Sequence, residues 1–193
     1  VKVINTSDAD MVAAYTTDDV TAVVTWNPLL SEIEAMPNST KVFDSGKIPG
    51  EIIDLLVVNT ETLKANPDFG KALVGAWYEI MSTMSADSAA GKAAREFMGK
   101  ASGTDLAGYE AQLASTKMFY TPAEAVTFTN SAQLKTTMKY VAEFSFKHGL
   151  LGEGAPDAGF IGIETPSGVF GSDSNIKLRF DPSYMKMAAD GKL

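Results

Sequence analysis

The chain has 193 residues, a formal net charge of −8 and no cysteine, and 45% of its residues are hydrophobic. This apolar fraction is enough for a packed core, the acidic charge argues against nucleic-acid binding, and the absence of cysteine excludes disulfides, thiolate catalysis and zinc sites built on sulfur. His148 is the only histidine, which excludes a multi-histidine metal site, and no apolar run approaches the about 20 residues that a membrane span requires.

The first 58 residues alternate between β-rich runs and helical segments. The runs are rich in β-branched residues and predict short strands at residues 1–5, 22–26, 41–44 and 52–58. Between them we predict a helix over 8–15 capped by Ser7 and a helix over 28–36 that begins after Asn27. A strand–helix–strand order predicts parallel pairing with right-handed crossovers. This part of the chain therefore indicates an α/β fold.

From Thr60 onward the pattern is mostly helical. We predict a short helix capped by Thr60 and ended at Asn66-Pro67, a short helix from Pro122, a final helix from Pro182, and longer helices over 68–84, 86–100, 105–115 and 131–148. Trp77 lies in the apolar stripe of 68–84, so we expect it in the core. The Gly- and Pro-rich tail contains two β-like runs, 160–164 and 176–180. A parallel sheet needs more strands than these, so the sequence is typical of the later part of a larger α/β protein.

Thr25, Trp26 and Asn27 lie at the carboxyl end of the predicted strand 22–26. Ligands of open α/β sheets bind beyond the carboxyl ends of the strands, so these residues are candidate ligand contacts. Trp26 would offer an indole face, on which a planar cation is stabilised by about 0.5–2 kcal/mol. The alternative is that Trp26 packs beneath the helix over 28–36. For Asn27, capping that helix is the favoured role, while Thr25 is a simple hydrogen-bonding candidate.

Glu51 and Asp54 are the acidic candidates. In an extended segment their side chains point to opposite sides, so at most one faces a ligand. Asp54 precedes the apolar run 55–58 and is expected to be the buried one, paired with a guanidinium or amide ligand. The alternative for both is an ordinary ion pair with Lys47 or Arg95, or plain exposure to solvent.

Several phrases of the sequence are similar to those of a known family. They include VKVINTSDADMVAAY at 1–15, VFDSGKIPGEIIDLLVVN at 42–59, FSFKHGLLGEGAPDAGFIGI at 144–163 and KLRFDPSYMKMAADGKL at 177–193. The chain resembles, along essentially its whole length, the solute-binding components of ABC importers of the nitrate/taurine (NMT1-like) class, closest to the urea-carboxylase-associated, "putative urea" group. The resemblance implies an incomplete two-lobed sandwich of the periplasmic-binding-protein type II fold.

The resemblance also implies domains and partners. Residues 1–50 would complete the second lobe, residues 51–193 would be the hinge return and the mainly helical part of the first lobe, and the hinge would lie near 49–54. The protein would be periplasmic, or lipid-anchored outside the inner membrane, and would deliver its solute to an ABC permease. With part of the sheet uncovered, we expect this chain to self-associate.

The function implied by the resemblance is capture of a small nitrogen-rich solute, which would be urea, guanidine or a related amide, without catalysis, cofactor or metal. Two alternatives use the same fold. One is a pyrimidine-synthesis-like enzyme that consumes a histidine and binds iron, to which the single histidine lends little support. The other is a module that senses a ligand and presents it to a receptor.

Overall fold

The computed structural model describes residues 1–48 and 50–193 and shows a mixed helix-and-sheet protein in which helices predominate. Pro49, the first residue of the predicted hinge, lies outside the described residues. The elements of the described residues are, in chain order, α1 Asp8–Tyr15, α2 Leu29–Glu34, a 3₁₀ turn Ser45–Lys47, α3 Thr60–Ala65, α4 Pro67–Ser85, α5 Ala89–Ala101, α6 Leu106–Ala114, α7 Pro122–Thr129, α8 Ala132–Lys147, β1 Gly162–Thr165, β2 Gly168–Phe170, β3 Ile176–Arg179 and α9 Ser183–Ala189.

The chain forms two compact units. The first unit contains Val1–Lys47 and Ala86–Met118, and the second contains Ile48–Ser85 and Phe119–Leu193. The change of unit at residue 48 falls near the predicted boundary at 50, while residues 86–118 belong with the beginning of the chain in this division. The assignment of either part to a lobe of a larger fold stays a prediction.

The first unit is built from two helix pairs. Helix α1 contacts α2, and α5 contacts α6. The second pair approaches closely at Gly99, where an added Cβ would lie 3.0 Å from the Asp105 carbonyl oxygen and 3.1 Å from Tyr109 Cβ. Arg95 Nε donates to Glu110 Oε1 over 2.9 Å and joins the same two helices. Among the described hydrophobic side chains of this unit, Ile33 of α2 is buried.

The second unit has the larger core. Its sheet has the order β2-β1-β3, with β1 antiparallel to β2 and parallel to β3. One face of α8 packs on this sheet through a cluster of buried side chains formed by Leu134, Met138, Ala142 and Ile163. Helices α4 and α7 both contact the C-terminal helix α9. The predicted β-runs at 160–164 and 176–180 correspond to β1 and β3.

The helices form where the sequence predicts them, with ends that differ by up to three residues, but the predicted cap Ser7 makes no side-chain bond to a backbone N–H at the start of α1. Side chains accept from backbone N–H groups at the starts of α5, α6 and α8, where the caps are Ser88, Asp105 and Ser131. Helix α7 begins with a reciprocal capping box between Thr121 and Glu124. Helix α3 is capped by Asn59 rather than by Thr60, which is its first residue. The helix ends are therefore encoded locally.

The four strands that the sequence predicts before residue 59 do not form. Residues 1–5, 22–26, 41–44 and 52–58 belong to no helix or strand of the structure. Their apolar side chains are largely exposed, Val24 and Val42 to more than 80%. A β-run becomes a strand only when another strand accepts its main-chain hydrogen bonds. The described residues supply no such partner to these runs, so the parallel sheet predicted from them does not form.

The prediction that Trp77 lies in the core is also wrong. The apolar stripe of α4 predicts it in the core, but 46% of the residue is exposed. The residues of α4 that are buried are Gly70, Met81 and Met84. The small Gly70 sits against Leu63 and Tyr184. Trp77 is seven residues from both Gly70 and Met84, so it lies on the same face of α4, yet it is left partly exposed. Helical periodicity identified a stripe that the neighbouring helices cover only in part.

Candidate functional site

The segment from Thr25 to Ser31 holds three of the five candidate residues, and α2 fixes its geometry. The N–H of Leu30 donates to the Trp26 carbonyl over 2.9 Å, so the first turn of α2 anchors the main chain beside the indole. The Asn27-Pro28 peptide bond is cis. Helix α2 then begins at Leu29 with Pro28 in the N-cap position, one residue later than the sequence predicts.

Asn27 does not cap α2, which corrects the favoured interpretation of this residue. No side-chain cap bond forms at the start of the helix. Instead, Asn27 Oδ1 accepts a hydrogen bond from Ser31 Oγ over 2.8 Å, and the pair is partly buried. With Pro28 in the cap position, Asn27 lies one residue too early to reach the free N–H groups of the helix. Its amide nitrogen makes no hydrogen bond within the part of the chain that the structure describes.

Trp26 is open to solvent. The residue is 61% exposed, so the alternative that its ring lies packed beneath α2 is wrong. An exposed indole is unusual enough to need a reason, because burying a side chain of this size stabilises a fold by several times the thermal energy. Exposure leaves the ring free to stack on a flat ligand. The structure does not test that role.

Thr25 carries a buried hydroxyl that lacks a partner. Its Oγ1 is shielded from solvent and makes no hydrogen bond within residues 1–48 and 50–193. The great majority of buried polar side-chain atoms are hydrogen-bonded, and leaving one unsatisfied costs about 1–3 kcal/mol. Of the three neighbouring candidates, Thr25 is therefore the one whose polar group most clearly needs a further partner.

Glu51 and Asp54 lie in the second unit and are both exposed. The expectation that Asp54 is buried is wrong, because the run 55–58 that follows it joins no sheet and nothing covers the carboxylate. Neither residue forms an ion pair within the described chain. The two cations suggested as alternative partners are engaged elsewhere, with Lys47 over the Phe43 ring and Arg95 on Glu110. A ligand role for these carboxylates stays a prediction.

Sequence reasoning missed Ser31, which orients Asn27. The signal was present, since residues four apart on a helical turn are neighbours and Asn27 and Ser31 have that spacing. The Ser31 hydroxyl uses one lone pair of Oδ1, so the amide keeps its two N–H donors and a second acceptor lone pair. The segment thus holds a solvent-shielded hydroxyl, a partly buried amide and an exposed indole face, and no ionised group.

Three further observations concern the rest of the described chain. The described residues contain no group of three or more His, Asp or Glu side chains arranged to hold a metal ion. His148 is the C-cap of α8, and its ring lies on that of Phe144 with the centroids 4.2 Å apart. Among the described helices, none is both long enough and apolar enough to cross a bilayer.

Comparisons with protein-family models, with curated proteins and with solved structures found no match to this chain.

Proposed function

We propose that this protein is the extracytoplasmic solute-binding component of an ABC importer, and that Thr25, Trp26 and Asn27 contact its small nitrogen-rich solute. The observation that carries the proposal is the buried Thr25 hydroxyl without a partner beside the exposed Trp26 ring. A ligand that stacks on the indole and bonds to the hydroxyl supplies what both groups lack. The sequence resemblance to this class of importers supports the same function.

The groups on the segment favour a neutral planar ligand. The amide N–H groups of Asn27 make no hydrogen bond within the described chain, its oxygen accepts one bond from Ser31, and the Thr25 hydroxyl can both donate and accept. A carbonyl oxygen satisfies these donors, so urea and small amides fit best. Guanidinium has only donors, and it would depend on the Thr25 oxygen, on the second lone pair of Asn27 Oδ1 and on cation–π attraction to Trp26. Nitrate and taurine would lack a cation on this segment.

In this proposal the protein works in the periplasm, or anchored by a lipid outside the inner membrane, and two lobes of the periplasmic-binding-protein type II fold close on the solute. The closed form then docks on a membrane permease. Glu51 and Asp54, exposed carboxylates near the predicted hinge, remain proposed ligand contacts. The proposal assigns no catalytic step and no cofactor to the chain.

Binding is tested most directly through Trp26 itself. The chain has two tryptophans, so a Trp77→Phe variant leaves the candidate residue as the only indole reporter. We expect urea and acetamide at low millimolar concentration to change its emission, and a ligand at about 100 times its Kd to raise the free energy of unfolding by about 2.7 kcal/mol. Guanidinium, nitrate and taurine complete the series. If an anion stabilises the protein while the amides leave it unchanged, the proposed ligand class is wrong.

A Thr25→Val variant separates binding from folding. Valine has the shape of threonine without the hydroxyl, so we expect the free energy of unfolding to stay unchanged or to rise by about 1–3 kcal/mol. The response to urea should nevertheless disappear. Thr21→Val, at an exposed position four residues before Thr25, is the matched control and should keep the response. A Thr25→Val protein that binds as well as the parent would remove this residue from the site.

A further inference from the structure

Within the described chain, one side chain holds the Asn27 amide. Ser31 Oγ donates to Asn27 Oδ1 over 2.8 Å, and the contact is partly buried. The oxygen and nitrogen ends of an asparagine amide are nearly identical in shape, so hydrogen bonds to neighbouring groups decide which way each end lies. A serine hydroxyl that directs its proton at Oδ1 therefore also decides where the two amide N–H groups lie.

Helix α2 fixes the position of Ser31 independently of any ligand. The Ser31 carbonyl accepts from the Ala35 N–H over 3.1 Å. Two residues further along α2, Ile33 is 4% exposed and anchors the helix in the first unit. The hydroxyl thus reaches Asn27 from an element whose place is set by main-chain hydrogen bonds and by buried apolar surface.

We propose that Ser31 determines the ligand class of the site: by holding Asn27 Oδ1, it leaves the amide N–H groups for the ligand and makes the site prefer a carbonyl compound such as urea over guanidinium. This inference rests on the proposed function. Ser31 acts through Asn27 and not on the ligand itself, so it is a positioning residue.

The hydrogen-bonding capacity of the amide is unequal once Ser31 is bound. Both N–H donors are unused within the described chain, whereas one of the two lone pairs of Oδ1 is taken. A urea carbonyl accepts from the free donors and leaves the Ser31 contact intact. Guanidinium has only donors, so it must share Oδ1 with Ser31 or turn the amide over, and turning the amide over breaks the existing bond.

Ser31→Ala removes the hydroxyl and lets the amide present either end. We expect the ratio of the guanidinium Kd to the urea Kd to fall by about three- to tenfold, which corresponds to one neutral hydrogen bond. The emission of Trp26 in the Trp77→Phe protein measures both Kd values. Ser31→Thr keeps a hydroxyl and should retain the parent ratio. Damage to α2 alone would weaken both ligands together and leave their ratio unchanged.

Ser39→Ala is the matched control. Ser39 is a half-buried serine that follows α2, and its hydroxyl donates to the Met36 carbonyl over 2.8 Å. The variant therefore removes the same chemical group without touching the Asn27 amide, and it should keep the parent ratio. A shift in Ser39→Ala as large as that in Ser31→Ala would overturn the proposal.

NMR relaxation of the Asn27 side-chain NH₂ group tests the positioning without a ligand. The group should be ordered in the parent and in Ser31→Thr, and more mobile in Ser31→Ala, because only the alanine variant lacks the hydroxyl. Equal mobility in all three proteins would show that Ser31 does not hold the amide, and the proposal would fail.

Asn27→Asp separates this inference from the proposed function. A carboxylate has acceptors in place of the N–H donors, so this variant should bind guanidinium more tightly than urea. If Asn27→Asp reverses the preference while Ser31→Ala keeps the parent ratio, Ser31 does not determine the ligand class and the proposed function stands. If neither ligand changes the emission of the parent or of Asn27→Asp, the proposed function is wrong and this inference is wrong with it.

Discussion

Tyr78 of α4 is a residue whose ionisation is tied to the fold. Burial raises the pKa of its phenol above the usual 10.0, and the negative charge of Glu124 raises it further. The folded protein therefore holds the phenol proton more tightly than the unfolded chain does. The stability that this difference contributes is complete below the unfolded pKa and is lost as the pH rises through the folded pKa.

We therefore expect the parent protein to lose stability more steeply than Tyr78→Phe as the pH rises above about 10, because only the parent must deprotonate this phenol. Thermal unfolding in the absence of urea measures this difference in stability between the parent and Tyr78→Phe. Tyrosinate absorbance is a second readout. Glu124→Gln keeps the capping box at the start of α7 and should retain most of the effect, since burial is the larger cause. Equal pH slopes for the parent and Tyr78→Phe would contradict this account.

The site residues show what a single sequence can and cannot supply. Thr25 and Trp26 were candidates because they follow a β-run, and the structure adds that the hydroxyl is buried and the ring exposed. Asn27 was assigned the wrong bond, because capping depends on which residue begins the helix and that boundary moved by one position. The prediction that Asp54 is buried was wrong because it depended on a sheet that the described residues do not form.

At the scale of the elements, local chemistry predicts helices well and strands poorly. Each helix begins near a side chain or a proline that the sequence identifies, because caps act within four residues. The predicted strands before residue 59 failed because pairing is a non-local property. The β-runs predicted at 160–164 and 176–180 form β1 and β3 because each has a partner strand within the chain. Strand β2 was not predicted because it has three residues, Gly168–Phe170.

The sheet of the second unit depends on a glycine with no room for a side chain. A Cβ added to Gly162 at the start of β1 would collide with the Ser172 carbonyl oxygen and press on Ile176. We expect Gly162→Ala to lower the free energy of unfolding by about 1–3 kcal/mol or more, because main-chain atoms must move. Chemical denaturation measures the change. Gly154→Ala, where nothing lies within 4 Å of an added Cβ, is the control, and an equal loss there would refute the steric explanation.

At the scale of the whole molecule, the two units differ in how much core they have. Among the described residues, the buried hydrophobic side chains of the second unit are Met81, Met84, Ala125, Leu134, Met138, Ala142 and Ile163, whereas the first unit has Ile33. Buried apolar area is the main source of stability. The first unit should therefore unfold at a lower temperature than the second.

The two tryptophans allow this difference to be measured, since Trp26 lies in the first unit and Trp77 in the second. We expect Trp26 emission, followed in Trp77→Phe, to change at a lower temperature than Trp77 emission, followed in Trp26→Phe. Leu134→Ala should lower the second transition by about 2–5 kcal/mol of unfolding free energy and leave the first in place. Coincident transitions that Leu134→Ala shifts together would instead make the protein one cooperative unit, in which the core around α8 stabilises the Thr25–Ser31 segment as well.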